Sequence, residues 1–143
     1  MVIGTRAHRV PRTRAWDVVF GLTCVNDVTA RDIQRREVQY TRAKGFDTFA
    51  PVGPCIAVGC GDSPRAVEGW VNGVRRQHST SAQLIFGIPE LIEYITFVMT
   101  LEPGDIIATG TPSGVGVLTA GDTVTVIVEG VGALTNPVVE EQV

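Results

Sequence analysis

The sequence predicts a β-rich α+β domain with one or two short helices. Three observations predict it. In Thr123 to Glu129, Val124, Val126 and Val128 alternate against Thr123 and Thr125, the two-residue period of a half-buried strand. Asn72-Gly73 lies between two β-prone runs, Val67 to Val71 and Val74 to His78, and Asn-Gly suits the type I′ turn of a hairpin. Only one stretch, from Pro89 to about Met99, carries a convincing helical stripe. Its members are Leu91, Ile92, Ile95, Val98 and Met99, with Glu90 and Glu93 opposite and a proline in the first turn.

The other elements follow in chain order. Val18 to Val25 is mostly apolar and reads as a buried strand. A short helix is expected from about Thr29 to Arg36, with Thr29-x-x-Asp32 as a capping-box-like start. If that helix reaches back to Asp27, then Asp27, Arg31 and Gln34 fall at i, i+4 and i+7 and share one face. That face would carry a carboxylate, a guanidinium and an amide. Gly45 to Pro54 is expected to be a loop. Pro103-Gly104 ends the helical region, and Asp105 to Thr109 reads as a further strand.

Gross numbers bound the function. The chain has 143 residues, enough for one domain, and 44% of them are hydrophobic, enough for a real core. Net charge is -3, and there is no basic stripe of the kind that binds nucleic acid. Arg6, Arg9, Arg12 and Arg14 read as a solvated face. No apolar run approaches the length of a membrane span. The 3 cysteines, Cys24, Cys55 and Cys60, have neither CxxC nor zinc-ligand spacing, so reduced thiols in a cytoplasmic protein are expected. Lys44 is the only lysine among 12 Lys and Arg residues, and it lies in a motif-rich stretch. A compact ammonium at a reactive site is not replaceable by a planar guanidinium.

Several short runs occur together and in order. They are Val2-Ile3-Gly4, then Asn26-Asp27-Val28-Thr29-Ala30-Arg31-Asp32, then Lys44-Gly45-Phe46. Asn72-Gly73 with Arg76-Gln77 follows, then Met99-Thr100-Leu101-Glu102-Pro103-Gly104-Asp105-Ile106-Ile107, then Gly110-Thr111-Pro112-Ser113-Gly114-Val115-Gly116. Over nearly its whole length the chain thus resembles the fumarylacetoacetate hydrolase family. The resemblance implies a mixed β-roll with few helices and a homodimer. It also implies metal-dependent hydrolase, isomerase or decarboxylase chemistry on small keto or hydroxy-dienoic diacids, for instance in the breakdown of aromatic compounds. By resemblance Asp27 is a metal ligand for Mg²⁺ (or Mn²⁺ or Ca²⁺), and Arg31, Gln34 and Thr111 contact the substrate. Lys44 is the catalytic residue, placed to polarise a carbonyl or stabilise an enolate. No nucleic acid or membrane partner is implied.

Each residue also has an ordinary reading: a helix cap for Asp27, a surface ion pair for Arg31, a solvated loop residue for Lys44, a tight turn at Gly114 and Gly116. The family further carries an E-x-E pair of metal ligands just upstream of the Val-Ile-Gly strand, and a lid before it. Residues 1–143 are expected to lack both, as a domain fragment or shortened reading frame would. Asp27 alone is then expected to hold a metal weakly, unless Glu37, Asp47 or a partner chain substitutes. Two other readings stay open, a non-catalytic remnant of the fold and a small-acid binding module that works without metal.

Overall fold

Seven strands and three α-helices make up the computed structural model, which describes residues 1–141. Strand β1 (Val2–Ile3) pairs antiparallel with β2 (Val19–Val25), and β2 with β3 (Val52–Val58). A second antiparallel sheet has the order β5-β4-β6-β7, from β4 (Ala66–Val71), β5 (Val74–Thr80), β6 (Thr123–Val128) and β7 (Gly132–Pro137). This is the expected β-rich α+β architecture.

The hairpin forms where Asn-Gly predicts it. Asn72 and Gly73 have φ of 51° and 74°, the left-handed pair that a type I′ turn needs. The two sheets meet through β2, β3, β6 and β7. The Cys24 thiol donates to Gly132 O at 3.5 Å and the Cys55 thiol to Val131 O at 3.2 Å, across that junction. All three cysteines are free, and burial pushes the Cys24 thiol pKa up.

Helix α3 (Ile88–Val98) matches its expected span to within a residue at each end. It packs on a 3-10 helix, Arg12–Val18, that the sequence did not betray. The core gathers here: Met1, Ile3, Ala7, Ala15, Val18, Ile92 and Leu101, with Leu91 and Ile95 packed against it. The expected stripe needs correcting at its end. Val98 and Met99 stay exposed, because the helix stops at Val98 and Met99 continues in an extended conformation. Thr96 takes the inner position instead. It is fully buried, and its hydroxyl donates to Ile92 O at 2.7 Å and accepts from Val10 N at 3.0 Å.

Three further expectations are corrected. The helix near Thr29 is only Arg31–Gln34 (α1), and Ala30 sits at its N-cap without a side-chain cap. The Thr29 hydroxyl donates backwards to Asp27 O at 3.0 Å, so no capping box forms. A second short helix, α2 (Thr41–Lys44), follows and is tied to the first by Ala30 N donating to Ala43 O at 2.9 Å. The loop after Gly45 ends at Pro51, because Val52 already pairs with Val25. Asp105 to Thr109 forms no strand. It makes an isolated bridge, Val2 with Ile106, and ladder-like bonds at Gly104, Asp105 and Ile107. A strand exists only as far as its partner does, and β1 offers two residues.

Candidate functional site

Residue Asp27 lies just past the end of β2 and precedes α1, so it does not share a helical face with Arg31 and Gln34. That expectation fails because the chain stays non-helical from Asn26 to Ala30. A different partner reaches Asp27. Helix α2 presents Lys44, whose Nζ forms an ion pair with Asp27 Oδ2. The Lys44 ammonium also lies 3.4 Å from Thr29 Oγ1. Both charged side chains are about two-thirds shielded, with 31% and 33% of their side-chain surface exposed. An ammonium has three donors. Asp27 and Thr29 engage two, which leaves one for an incoming oxygen.

Asp27 also lines a cleft of about 320 Å³. Its lining also includes Met1, Leu22 and Thr23 and the segment from Ile107 to Thr111. Thr111 and Asp27 therefore face one space, although 84 positions separate them in the chain (111 − 27). The other charged residues on the lining are Asp62 and Arg65. The Met1 amine donates to Ile107 O at 2.9 Å, and burial lowers its pKa below the ordinary amine value.

Arg31 and Gln34 are paired with each other, Arg31 Nη1 donating to Gln34 Oε1 at 2.6 Å. The ordinary reading of Arg31 as half of an ion pair does not hold. Asp32 pairs with Arg36 at 2.9 Å, and Glu37 pairs with Arg42. Arg31 thus keeps guanidinium donors free of any carboxylate among the described residues. The Arg31–Gln34 pair is not on the cleft lining itself. It stands on α1, four residues beyond the Asp27 carboxylate (31 − 27).

The residues present do not by themselves make a metal site. Among the described residues no three His, Cys, Asp or Glu side chains gather around one point. Neither Glu37 nor Asp47 joins Asp27. The Asp27 carboxylate is engaged by an ammonium, whereas hard divalent cations draw on several oxygens. Two further residues enter the site that the sequence does not single out for it. The sequence offers Thr29 only as a cap. It offers Gln77 only as part of the Arg76-Gln77 run, and its amide Nε2 donates to Pro112 O at 2.7 Å, beside Thr111.

Known proteins resemble the chain over nearly its whole length. A family model described as the C-terminal part of fumarylacetoacetate (FAA) hydrolase matches residues 1–139. An oxaloacetate tautomerase of Bacillus subtilis is 44% identical over 148 residues, which cover 96% of this chain and 49% of that protein. The structure of a 5-carboxymethyl-2-hydroxymuconate delta-isomerase from Mycobacterium smegmatis superposes with a TM-score of 0.96 at 49% identity, covering 99% of this chain and 56% of that one. A maleylpyruvate hydrolase from Sphingobium, solved with manganese(II) and pyruvate, superposes with a TM-score of 0.89 at 38% identity, covering 99% and 52%. The chain thus spans a little over half the length of most of the relatives it matches.

Proposed function

The chain belongs to the fumarylacetoacetate hydrolase family, and on that premise we propose that its cleft handles the enolate of a small keto or hydroxy-dienoic diacid, in an acylpyruvate-type isomerase or hydrolase reaction. The observation that carries this reading is that Asp27, paired with Lys44, lines one cleft together with Thr111. Lys44 has a spare donor for a carbonyl oxygen that turns into an enolate oxygen. Such a donor is most valuable where charge develops during the reaction. The free donors of Arg31 suit the substrate carboxylate, which a guanidinium holds with two parallel bonds, and Gln34 fixes that guanidinium in place. Thr111 supplies a hydroxyl from the segment 107–111 on the same lining. Tautomerisation, hydrolysis and decarboxylation of such acids all pass through the same enolate, so the cleft chemistry names the class and not the individual reaction.

A neighbour was solved with manganese(II), and we propose that the reaction here uses a divalent metal, Mg²⁺ or Mn²⁺, with Asp27 as one of several carboxylates needed to hold it. The others have a place to come from. β1 runs antiparallel to β2 with Val2 opposite Gly21. On its other side Met1 exchanges hydrogen bonds with Ile107. Residues upstream of Met1, continuing that strand, would run alongside Leu22–Val25 towards Asp27 and form one side of the cleft. Alternate residues of a strand point the same way, so the spacing of an E-x-E pair would put both carboxylates on one face there.

The test is titration calorimetry on two forms, residues 1–143 alone and a form extended upstream by a Glu-x-Glu strand. The expected result is weak Mg²⁺ binding by the first, and tight binding by the second that Asp27→Ala removes. Tight stoichiometric binding by residues 1–143 alone would contradict the ligand assignment. That no three-residue ligand cluster forms among the described residues also favours a second reading, a small-acid binding module without metal. That reading predicts oxalate binding by residues 1–143 that is indifferent to Mg²⁺.

A further inference from the structure

The segment that carries Thr111 is almost unattached. From residue 108 to residue 118 there is no helix and no strand. Among the described residues, that segment makes no backbone–backbone hydrogen bond. Its one hydrogen bond of any kind to the described residues is the 2.7 Å bond from Gln77 Nε2 to Pro112 O. Gln77 sits on β5, the outer strand of its sheet, and is half-buried.

Two glycines make the attachment possible. Gly69 faces Gln77 across the β4–β5 ladder, and a Cβ at 69 would lie 2.5 Å from Gln77 Oε1 and 3.2 Å from Gln77 Cβ and Cδ. Any side chain at 69 would push the amide out of its position. Gly114 presses on the same strand from the loop side. A Cβ there would meet Arg76 O at 2.0 Å, and its φ of +101° is one that other residues rarely adopt. Gly69, Gln77, Pro112 and Gly114 thus form a strut between the hairpin and the loop.

We propose that Gln77 is a positioning residue for Thr111, through the carbonyl of the residue that follows it. This inference rests on the proposed keto-diacid reading for its consequence, but the strut itself stands on the geometry above. Gln77 donates one bond to a carbonyl that has no other partner among the described residues, and that bond sets where Thr111 stands on the cleft lining it shares with Asp27. A glutamate at 77 would keep the shape. It would replace the donor with a carboxylate that repels Pro112 O.

The experiment uses residues 1–143 as they are, with oxalate as a stable mimic of a pyruvate enolate and Mg²⁺ present. Gln77→Glu, Gln77→Ala, Thr111→Ala and the double variants with Thr111→Ala are compared. Backbone ¹⁵N order parameters read the loop directly. In Gln77→Glu and Gln77→Ala those of Thr111, Ser113 and Gly114 are expected to fall to the flexible range, below about 0.6. Oxalate affinity is expected to weaken by about three- to tenfold, the loss that one ordinary hydrogen bond accounts for. In the Thr111→Ala background Gln77→Glu is expected to cost nothing further, since coupled residues are not additive. Unchanged order parameters in Gln77→Glu would overturn the strut. Flexible loops with wild-type affinity, or additive effects in the double variant, would overturn the positioning role and leave the keto-diacid reading standing. No oxalate binding by the unmutated chain would overturn the positioning role, while the keto-diacid reading is decided separately by the calorimetry of the upstream-extended form.

Discussion

On the Asp27 wall of the cleft the chain is tied at nearly every step. Asn26 N donates to Pro51 O at 3.2 Å, Val28 N to Asn26 O at 2.9 Å, and Ala30 N to Ala43 O at 2.9 Å. On the Thr111 wall, residues 108–118 hang from Gln77. In the sequence the two walls look alike, as short motifs rich in turn residues and chemistry. In the structure they have different standing. Asp27 and Lys44 are positioned by the segments that contain them, α1 and α2 locking each other. Thr111 is positioned from outside, by a strand more than 30 residues upstream, since Gln77 and Pro112 are 35 apart. Local stability follows local bonding, so one wall should behave as a rigid reference and the other as the adjustable jaw.

The largest expected effect is on the rigid wall. Lys44→Arg should weaken turnover of a keto diacid by the upstream-extended form nearly as much as Lys44→Ala. A displaced donor can cost about 100-fold, and arginine keeps the charge but not the compact shape. Steady-state kinetics of both variants check this, and near-wild-type turnover in Lys44→Arg would reduce Lys44 to a diffuse charge. Next comes the adjustable wall. Gly114→Val combines a backbone clash at Arg76 O with a strained φ. It should detach the loop and weaken oxalate binding by about tenfold or more, with little change in the melting temperature, because the loop contributes few bonds. A melting temperature that collapses with the affinity would mean that the two walls are not separable. Thr29→Val removes one 3.4 Å partner of Lys44. It should cost about threefold in oxalate affinity, within what one weak hydrogen bond contributes.

How much of this was legible in the sequence depends on where each constraint resides. The Asn72-Gly73 turn, the β2 and β6 strands and α3 announce themselves, because their causes are local: a left-handed turn, an apolar run, a period. Strand β3 escaped notice because Gly53 and Pro54 stand inside it, and β7 because Gly132, Asn136 and Pro137 bound a weakly apolar stretch. Asp105 to Thr109 reads as a strand by composition, and fails as one for want of a partner. Of the five candidate residues, Thr111 rests on the family motif alone, while Asp27, Arg31 and Gln34 are also picked out by spacing and Lys44 as the only lysine. Periodicity placed Asp27 on a helical face with Arg31 that does not exist, since the helix begins at Arg31 itself. The pairing of Asp27 with Lys44, and the bond from Gln77 to Pro112, are long-range facts that no local pattern carries.

The smallest effect concerns a region away from both walls and serves as a control. Arg12 braces the 3-10 helix to α3 by donating to Glu93 through its side chain at 2.6 and 2.9 Å and through its backbone at 3.1 Å. These bonds hold the Glu93 carboxyl below its ordinary pKa, the side-chain bond foremost. A depressed carboxylate stabilises the fold above its ordinary pKa of about 4.3 and loses that contribution as pH falls through the folded value. The melting temperature of the wild type should therefore fall more steeply below pH 4 to 5, roughly, than that of Glu93→Gln. Parallel curves would show the brace to be inert, as exposed pairs often are. Oxalate affinity should not change in Glu93→Gln.

The measurement that bears most directly on the two-walled cleft is an ¹H–¹⁵N NMR titration of residues 1–143 with oxalate in the presence of Mg²⁺. The amides of Asp27 and Val28 on one wall, and of Thr111 and Gly114 on the other, should shift along a single saturation curve, and Lys44→Ala should flatten that curve on both walls at once. Shifts confined to one wall, or a response in Lys44→Ala equal to that of the wild type, would contradict the account.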